Sequence, residues 1–190
     1  MTRALDRLNG VTGQGPGAME TGIDLERELE GLHRASFGWA LGCCRWDREE
    51  AADVLQTVYL KVLEGKARFE GRSSLKTWLF ATIRHTAADG RRRRWVRALA
   101  LGHWAALRPA PAPAVDAEGL MAEGESLRAL RHALDGLPAR QRDLLHLVFY
   151  EDLSIAEASA VLGISEGTAR THYARGKERL RQALCARGRP

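Results

Sequence analysis

The chain has 190 residues, of which 45% are apolar and 28% charged, and its formal net charge is +5. This length supports one medium-sized hydrophobic core or two small ones. The longest apolar runs fall far short of the roughly 20 residues that span a bilayer. The amino-terminal segment also lacks the apolar core of a signal peptide. We therefore expect a cytoplasmic protein without membrane insertion.

Charge is distributed unevenly along the chain. Residues 20–64 carry 10 acidic and 5 basic side chains, whereas residues 66–97 carry 10 basic and 2 acidic ones. Residues 168–190 carry 7 basic side chains and 1 acidic one. These two basic blocks are separated by residues 98–167, which carry 5 basic and 10 acidic side chains. Two separate basic blocks indicate two contacts with a polyanion. For either block alone, a merely solvated face is the alternative interpretation.

The first part of the chain predicts a flexible leader followed by a helical domain. Residues 1–22 are rich in glycine, and either Met1 or Met19 is the start of the protein. Residues 23–97 form the domain, in which Asp47 caps a helix and Ser73 or Ser74 caps the next. The apolar positions expected to face the core of these two helices are Ala51, Val54, Leu55, Val58, Tyr59, Val62, Leu63, Leu75, Trp78, Leu79 and Ile83.

An Ala/Pro-rich segment, residues 98–122, predicts a linker between two domains. Pro109, Pro111 and Pro113 alternate with alanine, a spacing that prevents a helix and favours an extended, flexible to semi-rigid connector. A second helical domain is expected over residues 123–186. Within it, Pro138 suits the first position of a helix.

The end of the second domain has the pattern of a helix-turn-helix. Ser154 and Glu157 form a capping box, Gly163 suits the left-handed end of that helix, and Ser165 caps the last helix. An ordinary helical hairpin explains the turn but not the small residues and cations that open the last helix. The second helix of such a motif enters the major groove of DNA with its amino-terminal residues. Residues expected to meet bases or phosphates there are Ser165, Thr168, Arg170, Thr171, His172 and Arg175.

Taken together, the two halves resemble bacterial sigma factors of the extracytoplasmic-function (ECF) subfamily. The similar stretches are "DREEAADVLQTVYLKVL", "FEGRSSLKTWLFATIRHTAADGRRRR" and the segment from Leu134 to Leu184. The resemblance implies an all-α fold with region 2 as a helical bundle and region 4 as a helix-turn-helix. It also implies a factor that binds core RNA polymerase and directs it to promoter DNA, reading the −10 element with region 2 and the −35 element with region 4.

The resemblance also assigns roles to individual residues. Asp53 and Gln56 match the segment that docks on the polymerase. The residues implied in −10 binding and melting are Phe69, Arg72, Ser73, Trp78, Arg84, His85, Arg91 and Arg92. A core position is the alternative for Trp78. The pair Arg84–His85 stands where Arg-Asn is common in the family, so the preferred −10 bases stay open.

Two other classes of protein compete with this interpretation. A conventional helix-turn-helix regulator would bind DNA without polymerase. An enzyme that acts on nucleic acid would need a nucleophile with acid and base partners, which the scattered histidines do not suggest. We expect no enzymatic activity, no cofactor and no metal ion. Cys43, Cys44 and Cys185 are expected to be reduced thiols, with a redox switch as the alternative. An anti-sigma factor is a common further partner in the family.

Overall fold

The computed structural model describes residues 20–100, 130 and 132–187, with side chains over 25–100, 130 and 132–185. All regular structure in these ranges is helical, which confirms the all-α prediction. By packing, the chain divides between His33 and Arg34 into two units. The first helix, α1 (Glu20–Cys43), begins in the first unit and ends in the second. All packing contacts given below lie within the second unit.

Two further helices complete the first predicted domain. Helix α2 (Arg48–Leu63) begins after Asp47, whose side chain accepts a hydrogen bond from the Glu50 backbone amide at 2.9 Å, as predicted. Helix α3 (Leu75–Ala100) begins after Ser74, whose hydroxyl accepts from the Thr77 amide at 3.2 Å. Ser74 rather than Ser73 is therefore the cap.

The helix ends overlap the predicted leader and linker by a few residues. Helix α1 takes in residues 20–22 of the leader, and α3 takes in residues 98–100 of the linker. The rest of both segments, 1–19 and 101–122, lies outside the described residues. The expected flexibility of the leader and the linker therefore stays a prediction.

Trp39 and Phe80 form the centre of the first core. The two rings stack with centroids 5.9 Å apart, and Trp39 Nε1 donates a hydrogen bond to the Phe80 carbonyl at 3.0 Å. Both side chains are fully buried, as are Leu79 and Ile83. Burying a large apolar side chain stabilises a fold by about 1.5–3 kcal/mol. Since the buried indole N–H of Trp39 is satisfied by a main-chain carbonyl of α3, Trp39 links α1 to α3 by both packing and hydrogen bonding.

Three helices form the second predicted domain. They are α4 (Ala139–Leu145), α5 (Ile155–Leu162) and α6 (Glu166–Arg187), and residues 132–135 before them are also helical. Pro138 is the residue before α4 and not its first residue, one position earlier than predicted. The α4 spiral widens into a π-helical turn, His146–Tyr150, which the sequence pattern did not indicate.

The predicted capping residues define the helix-turn-helix. The Ser154 hydroxyl accepts from the Glu157 amide at 3.2 Å, and the Glu157 carboxylate accepts from the Ser154 amide at 2.9 Å, which completes the capping box. Gly163 has φ 63° and ψ 39°, the left-handed conformation. The Ser165 hydroxyl accepts from the Thr168 amide at 3.2 Å and so caps α6.

Close packing fixes α6 against α4. A Cβ atom at Gly176 would lie 3.2 Å from the Cβ of Gln141, so only glycine allows this approach without displacement. Ala169, two turns earlier, is completely buried. Arg140 donates to the Leu162 carbonyl at 3.0 Å and satisfies a terminal acceptor of α5. These contacts hold the three helices in one arrangement.

The two predicted domains share an interface in which α3 packs against α5. None of the described helices combines the length and the apolarity that a bilayer crossing requires.

Two glycine-to-alanine changes should shift stability in opposite directions. Gly90 lies inside α3 with open space around it, so Gly90→Ala should raise the free energy of unfolding by up to about 1 kcal/mol. Gly163→Ala should lower it by about 1–2 kcal/mol, because alanine is strained in the left-handed conformation. Urea unfolding followed by circular dichroism measures both changes. Shifts of the same sign would contradict this explanation of the two positions.

Replacing Trp39 should cost far more stability than replacing the partly exposed Trp46. Trp39→Phe removes the indole N–H that donates to the Phe80 carbonyl and opens space in the core, so we expect a loss of about 2–4 kcal/mol. Trp46 is 39% exposed, and Trp46→Phe should change the free energy of unfolding by less than about 0.5 kcal/mol. Equal effects in thermal and urea unfolding would refute the central role of Trp39.

Candidate nucleic-acid and polymerase interface

The leading face of α6 is presented to solvent because its opposite face is packed. Ala169 and Gly176 face inward, at a spacing of seven residues. Thr168, Thr171 and Arg175 follow the same helical period on the outer side and are exposed. Ser165 and Thr168 place their hydroxyl oxygens 2.8 Å apart at the start of the helix. The predicted −35 residues therefore form one surface that carries three hydroxyl groups and two arginines.

The two arginines of this surface differ in their partners. Arg170 forms an ion pair with Glu166, one turn earlier. In the part of the chain that the structure describes, Arg175 is exposed and has neither an ion pair nor a hydrogen bond. An exposed ion pair one helical turn apart, such as Arg170–Glu166, stabilises a helix by only about 0.3–0.5 kcal/mol. Arg175 can thus bind an anion without breaking an internal contact. Arg170 must first break its ion pair with Glu166.

His172 and Thr171 are both partly engaged within the protein, so neither side chain is wholly available to contact DNA. His172 is half-buried, and its Nδ1 atom is buried without a hydrogen-bond partner among the described residues. Thr171 donates its hydroxyl to the Gly167 carbonyl at 3.0 Å. The threonine oxygen can still accept a further hydrogen bond from outside. Both residues lie on the predicted surface, but His172 also faces the protein.

The cations in the second half of α6 are engaged within the protein. Arg181 donates two hydrogen bonds to Glu178, at 3.0 and 2.8 Å, and Arg179 contacts Gln141 at 3.4 Å. Hydrogen bonds from Arg181 and then Gln182 lower the pKa of Glu178 to about 2. Lys177 lies over the Tyr173 ring at 4.6 Å. This half of the helix therefore offers less free positive charge than its sequence suggests.

The arginine run of α3 contains both side chains that are engaged within the protein and side chains that line an open groove. Arg94 pairs with Glu50, and Arg91 donates to the Cys43 carbonyl at 2.5 Å, so both connect α3 to neighbouring elements. Arg92, Arg93 and Arg97 line a shallow open groove together with Asp89. Trp95 of the same helix is 55% exposed. Arg91 and Arg92 are the two residues of this run that were predicted to contact −10 DNA. Arg92 faces the groove, whereas Arg91 is held by its hydrogen bond to the Cys43 carbonyl.

An aromatic pair marks the start of α3. The rings of Phe69 and Trp78 lie 5.6 Å apart at an angle of 54°, and both side chains are half-buried. Trp78 is therefore neither a core residue nor fully free. In the loop before α3, Ser73 is exposed and Arg72 pairs with Glu70 at 3.0 Å. The ring contact thus joins the residue before this loop to the first turn of the helix after it.

Arg84 and His85 lie further along α3. Burial, and then the charge of Arg140, lower the pKa of Arg84, although the guanidinium stays charged at neutral pH. Partial desolvation, and then the charge of Arg84, lower the pKa of His85, so its imidazole is neutral near pH 7. His85 is thus suited to hydrogen bonding and not to ionic contact.

The predicted polymerase-binding residues lie on the outer face of α2. Asp53 and Gln56 are exposed, whereas Val54, Leu55 and Val58 beside them are buried. Leu60 and Leu63 are 49% and 63% exposed and follow Gln56 at helical spacing. Leu63 was expected in the core, and that prediction is wrong because its position falls on the outer stripe. The four side chains, which we call the α2 outer face, combine two polar groups with two exposed leucines.

The cysteines do not pair with one another. All three are free; Cys44 is buried, Cys43 half-buried and Cys185 exposed. Burial, followed by the charges of Asp143 and Glu50 respectively, raises the pKa of Cys43 and Cys44, to about 12 for Cys44. Both thiols are therefore protonated and unreactive at neutral pH. Within the described residues, no group of three or more His, Cys, Asp or Glu side chains is placed to hold a metal ion.

Family comparisons agree with the two-domain arrangement. Residues 32–97 match the family described as Sigma-70 region 2, and residues 127–180 match Sigma-70, region 4. A solved structure of the sigma factor RpoE in complex with the anti-sigma factor NepR, from Bartonella quintana, is similar in fold. Its TM-score is 0.68 at 24% sequence identity, with 85% of this chain and 96% of that chain covered.

Curated relatives are similar over most of their length. The ECF RNA polymerase sigma factor SigX of Bacillus subtilis is 35% identical over 141 residues, which cover 73% of this chain and 72% of the relative. SigC of Mycobacterium tuberculosis is 33% identical over 156 residues, 81% of this chain and 82% of the relative. CarQ of Myxococcus xanthus is 35% identical over 138 residues, 70% and 74% of the two chains.

These similarities extend across both regions and in the expected order, so the predicted relationship is confirmed. The chain belongs to the ECF RNA polymerase sigma factors, the transcription initiation factors that direct RNA polymerase to promoters.

Proposed function

We propose that the chain reads the −35 element with the leading face of α6. In a helix-turn-helix the second helix enters the major groove, and residues near its start meet base edges. Thr168, Thr171 and Arg175 lie on one exposed stripe, and this arrangement is the observation that carries the proposal. Arg175 is suited to bidentate contact with guanine or to a phosphate. Ser165 and Arg170 extend the surface toward the helix start, and His172 borders it.

The −10 element is assigned to α3 and the loop before it. Separating stacked bases costs a few kcal/mol per step, and a protein offsets this cost by holding the displaced strand on cationic and aromatic surfaces. The Phe69–Trp78 pair supplies an aromatic surface beside the loop. Arg72 and Ser73 supply polar contacts there. The contacts proposed further along α3 come from Arg84, His85, Arg91 and Arg92.

The α2 outer face is the proposed docking surface for core polymerase. Asp53 and Gln56 give it directional polar contacts, while Leu60 and Leu63 provide apolar area that loses water on binding. The polymerase carries the chemistry of RNA synthesis, so the chain itself needs no cofactor, metal ion or catalytic residue. This role places it in the cytoplasm, with the polymerase and the DNA. An anti-sigma factor, as bound to RpoE, is a further partner of this proposal.

In vitro transcription with sigma-free core polymerase tests the assignment. Start sites are first mapped with the unaltered chain, and the mapped promoters then serve for all variants. A conventional regulator would instead bind the same DNA without polymerase and give no new start sites.

Arg175→Ala should reduce initiation at −35-dependent promoters by about tenfold or more, because one direct DNA contact is worth about 1–3 kcal/mol. Arg181→Ala is the matched control, since Arg181 lies on the same helix but is engaged by Glu178. The control should stay within about twofold of the wild type. Both variants should co-purify with core polymerase as the wild type does. Loss of polymerase binding with Arg175→Ala, or equal loss of initiation in both variants, would contradict the −35 assignment.

Glu166→Gln should strengthen promoter binding by the holoenzyme. The change frees Arg170 and removes a negative charge from the DNA-facing end of α6. One added phosphate contact makes the slope of log affinity against log salt steeper by about 0.9. Fluorescence anisotropy with a labelled promoter fragment at several salt concentrations measures this slope. Glu166→Asp keeps the charge and should behave as the wild type, and an unchanged slope in Glu166→Gln would exclude a phosphate role for Arg170.

A further inference from the structure

The last part of α3 extends beyond the hydrophobic core of its domain. The buried residues of this helix end at Ala87, and every side chain across 91–97 is exposed. At the opposite end of the helix, Lys76 is instead paired with the buried Glu151 carboxylate at 2.9 Å. Most helical stability in proteins comes from the packing of an apolar face, and the core supplies little of it to residues 88–100. We call residues 88–100 the α3 extension.

The sequence of the α3 extension is also unfavourable for a helix on its own. It contains Gly90, and glycine is a weak helix former. Four arginines follow in succession, and Arg93 and Arg97 lie one turn apart, where like charges repel. The helix dipole favours a cation in the last turn, such as Arg97, but its effect does not reach back to Arg92 and Arg93. An anion from outside the chain would relieve this repulsion.

Two arginines hold the α3 extension in place, and three others are left outward. Arg91 and Arg94 connect it to the turn after α1 and to α2. Arg92, Arg93 and Arg97 form no ion pair or hydrogen bond with another residue of the described structure. We call these three side chains the α3 arginine surface. Its charge is available to a partner without the loss of an internal contact.

The groove between these arginines suits a long polyanion better than a small molecule. Among the described residues, all that line it belong to α3. A small-molecule site is concave and buries most of its ligand, which the face of one helix does not do. The Asp89 carboxylate also lines the groove, and three cations against this one anion leave the surface positive. A row of phosphates that passes along the helix fits this surface.

The α3 arginine surface continues the surface that is proposed to read the −10 element. Trp78, His85 and Arg92 follow each other at seven-residue spacing, so they lie on one side of the helix. The rise of about 1.5 Å per residue puts Arg97 about 18 Å beyond His85 along the helix axis. Duplex DNA rises about 3.4 Å per base pair, so this distance corresponds to about five base pairs.

The polarity of α3 indicates which base pairs lie beside its extension. The displaced strand is proposed to lie at the start of the helix, beside the ring pair of Phe69 and Trp78. Strands separate from the −10 element toward the transcription start site, so the duplex on the −35 side of the element stays closed. This closed duplex must then lie toward the other end of α3. It is the spacer between the two promoter elements.

Resting on the proposed −10 function of α3, we propose that the α3 arginine surface binds phosphates of the spacer duplex within a few base pairs of the −10 element. Phosphate contacts carry no base-sequence information, but they fix the position and direction of the duplex. The α3 extension thus directs the closed DNA away from the −10 surface. The protein contacts the promoter at a third place, and base identity in the spacer does not matter there.

Two partly single-stranded promoter fragments test this contact. Both carry the non-template −10 strand of a mapped promoter; one has no duplex upstream of −10, and the other has ten base pairs of spacer that stop short of −35. Binding of the holoenzyme to each is measured by fluorescence anisotropy at several salt concentrations. On the longer fragment, Arg93→Ala/Arg97→Ala should bind roughly tenfold more weakly than the wild type, and its slope of log affinity against log salt should be shallower by about 1.8, or about 0.9 per phosphate. On the shorter fragment the two proteins should bind alike.

Lys66→Ala/Arg181→Ala is the matched control, because it removes two cations that neighbouring carboxylates engage outside the α3 arginine surface. It should bind both fragments as the wild type does. Arg93→Lys/Arg97→Lys keeps the charge and should restore most of the affinity. Uncharged methylphosphonates in the spacer should weaken the wild type to the level of Arg93→Ala/Arg97→Ala and leave that variant unchanged.

Three results would overturn the proposed spacer contact. They are an equal loss of affinity on both fragments, a loss no greater than that of the control variant, and a loss of binding to core polymerase, which would indicate a protein partner for these arginines. Circular dichroism checks that Arg93→Ala/Arg97→Ala keeps its helicity. Failure of the proposed −10 function is distinguishable, since the wild-type holoenzyme would then bind the shorter fragment no better than core polymerase alone.

Discussion

Helical periodicity determines which side chains this protein can offer to other molecules. Each helix commits one face to packing, and the residues that remain on the other face are the ones available for contact. On α6, the burial of Ala169 and the close approach at Gly176 leave Thr168 and Arg175 outward. On α2, the burial of Val54 and Val58 leaves Asp53, Gln56 and the exposed leucines outward. Both proposed interfaces therefore depend on correct packing behind them.

Positive charge is abundant, but only part of it is free. Arg91 and Arg94 hold α3 to its neighbours, and Arg181 is engaged by Glu178. Arg92 and Arg175 are exposed, and Lys76 serves the contact between domains. A count of basic residues thus overstates the charge that DNA would meet. The specificity of the proposed contacts lies in the few cations without internal partners in the described structure.

Local features of this fold could be predicted from the sequence, and distant ones could not. Asp47, the Ser154–Glu157 box, Gly163 and Ser165 act within one turn of the helix that they cap, so their patterns are visible in a few letters. Leu63 was wrongly predicted to face the core, because the spacing of the apolar residues in α2 does not show which edge of their stripe meets the core. The stacking of Trp39 on Phe80 and the Lys76–Glu151 pair join residues 41 and 75 positions apart, and no short pattern encodes such contacts. The sequence indicated the positions of the proposed site residues. It did not indicate that Arg91 and Arg170 have partners within the protein.

The central claim is that two helical domains of this chain act on one promoter while the chain is bound to core RNA polymerase. The most direct measurement adds the purified, unaltered chain to core polymerase lacking any sigma factor, on a library of genomic fragments, and maps the 5′ ends of the transcripts. We expect a small set of defined start sites that share two sequence elements at constant spacing. Transcripts that begin at the same scattered positions with and without the chain would contradict the account.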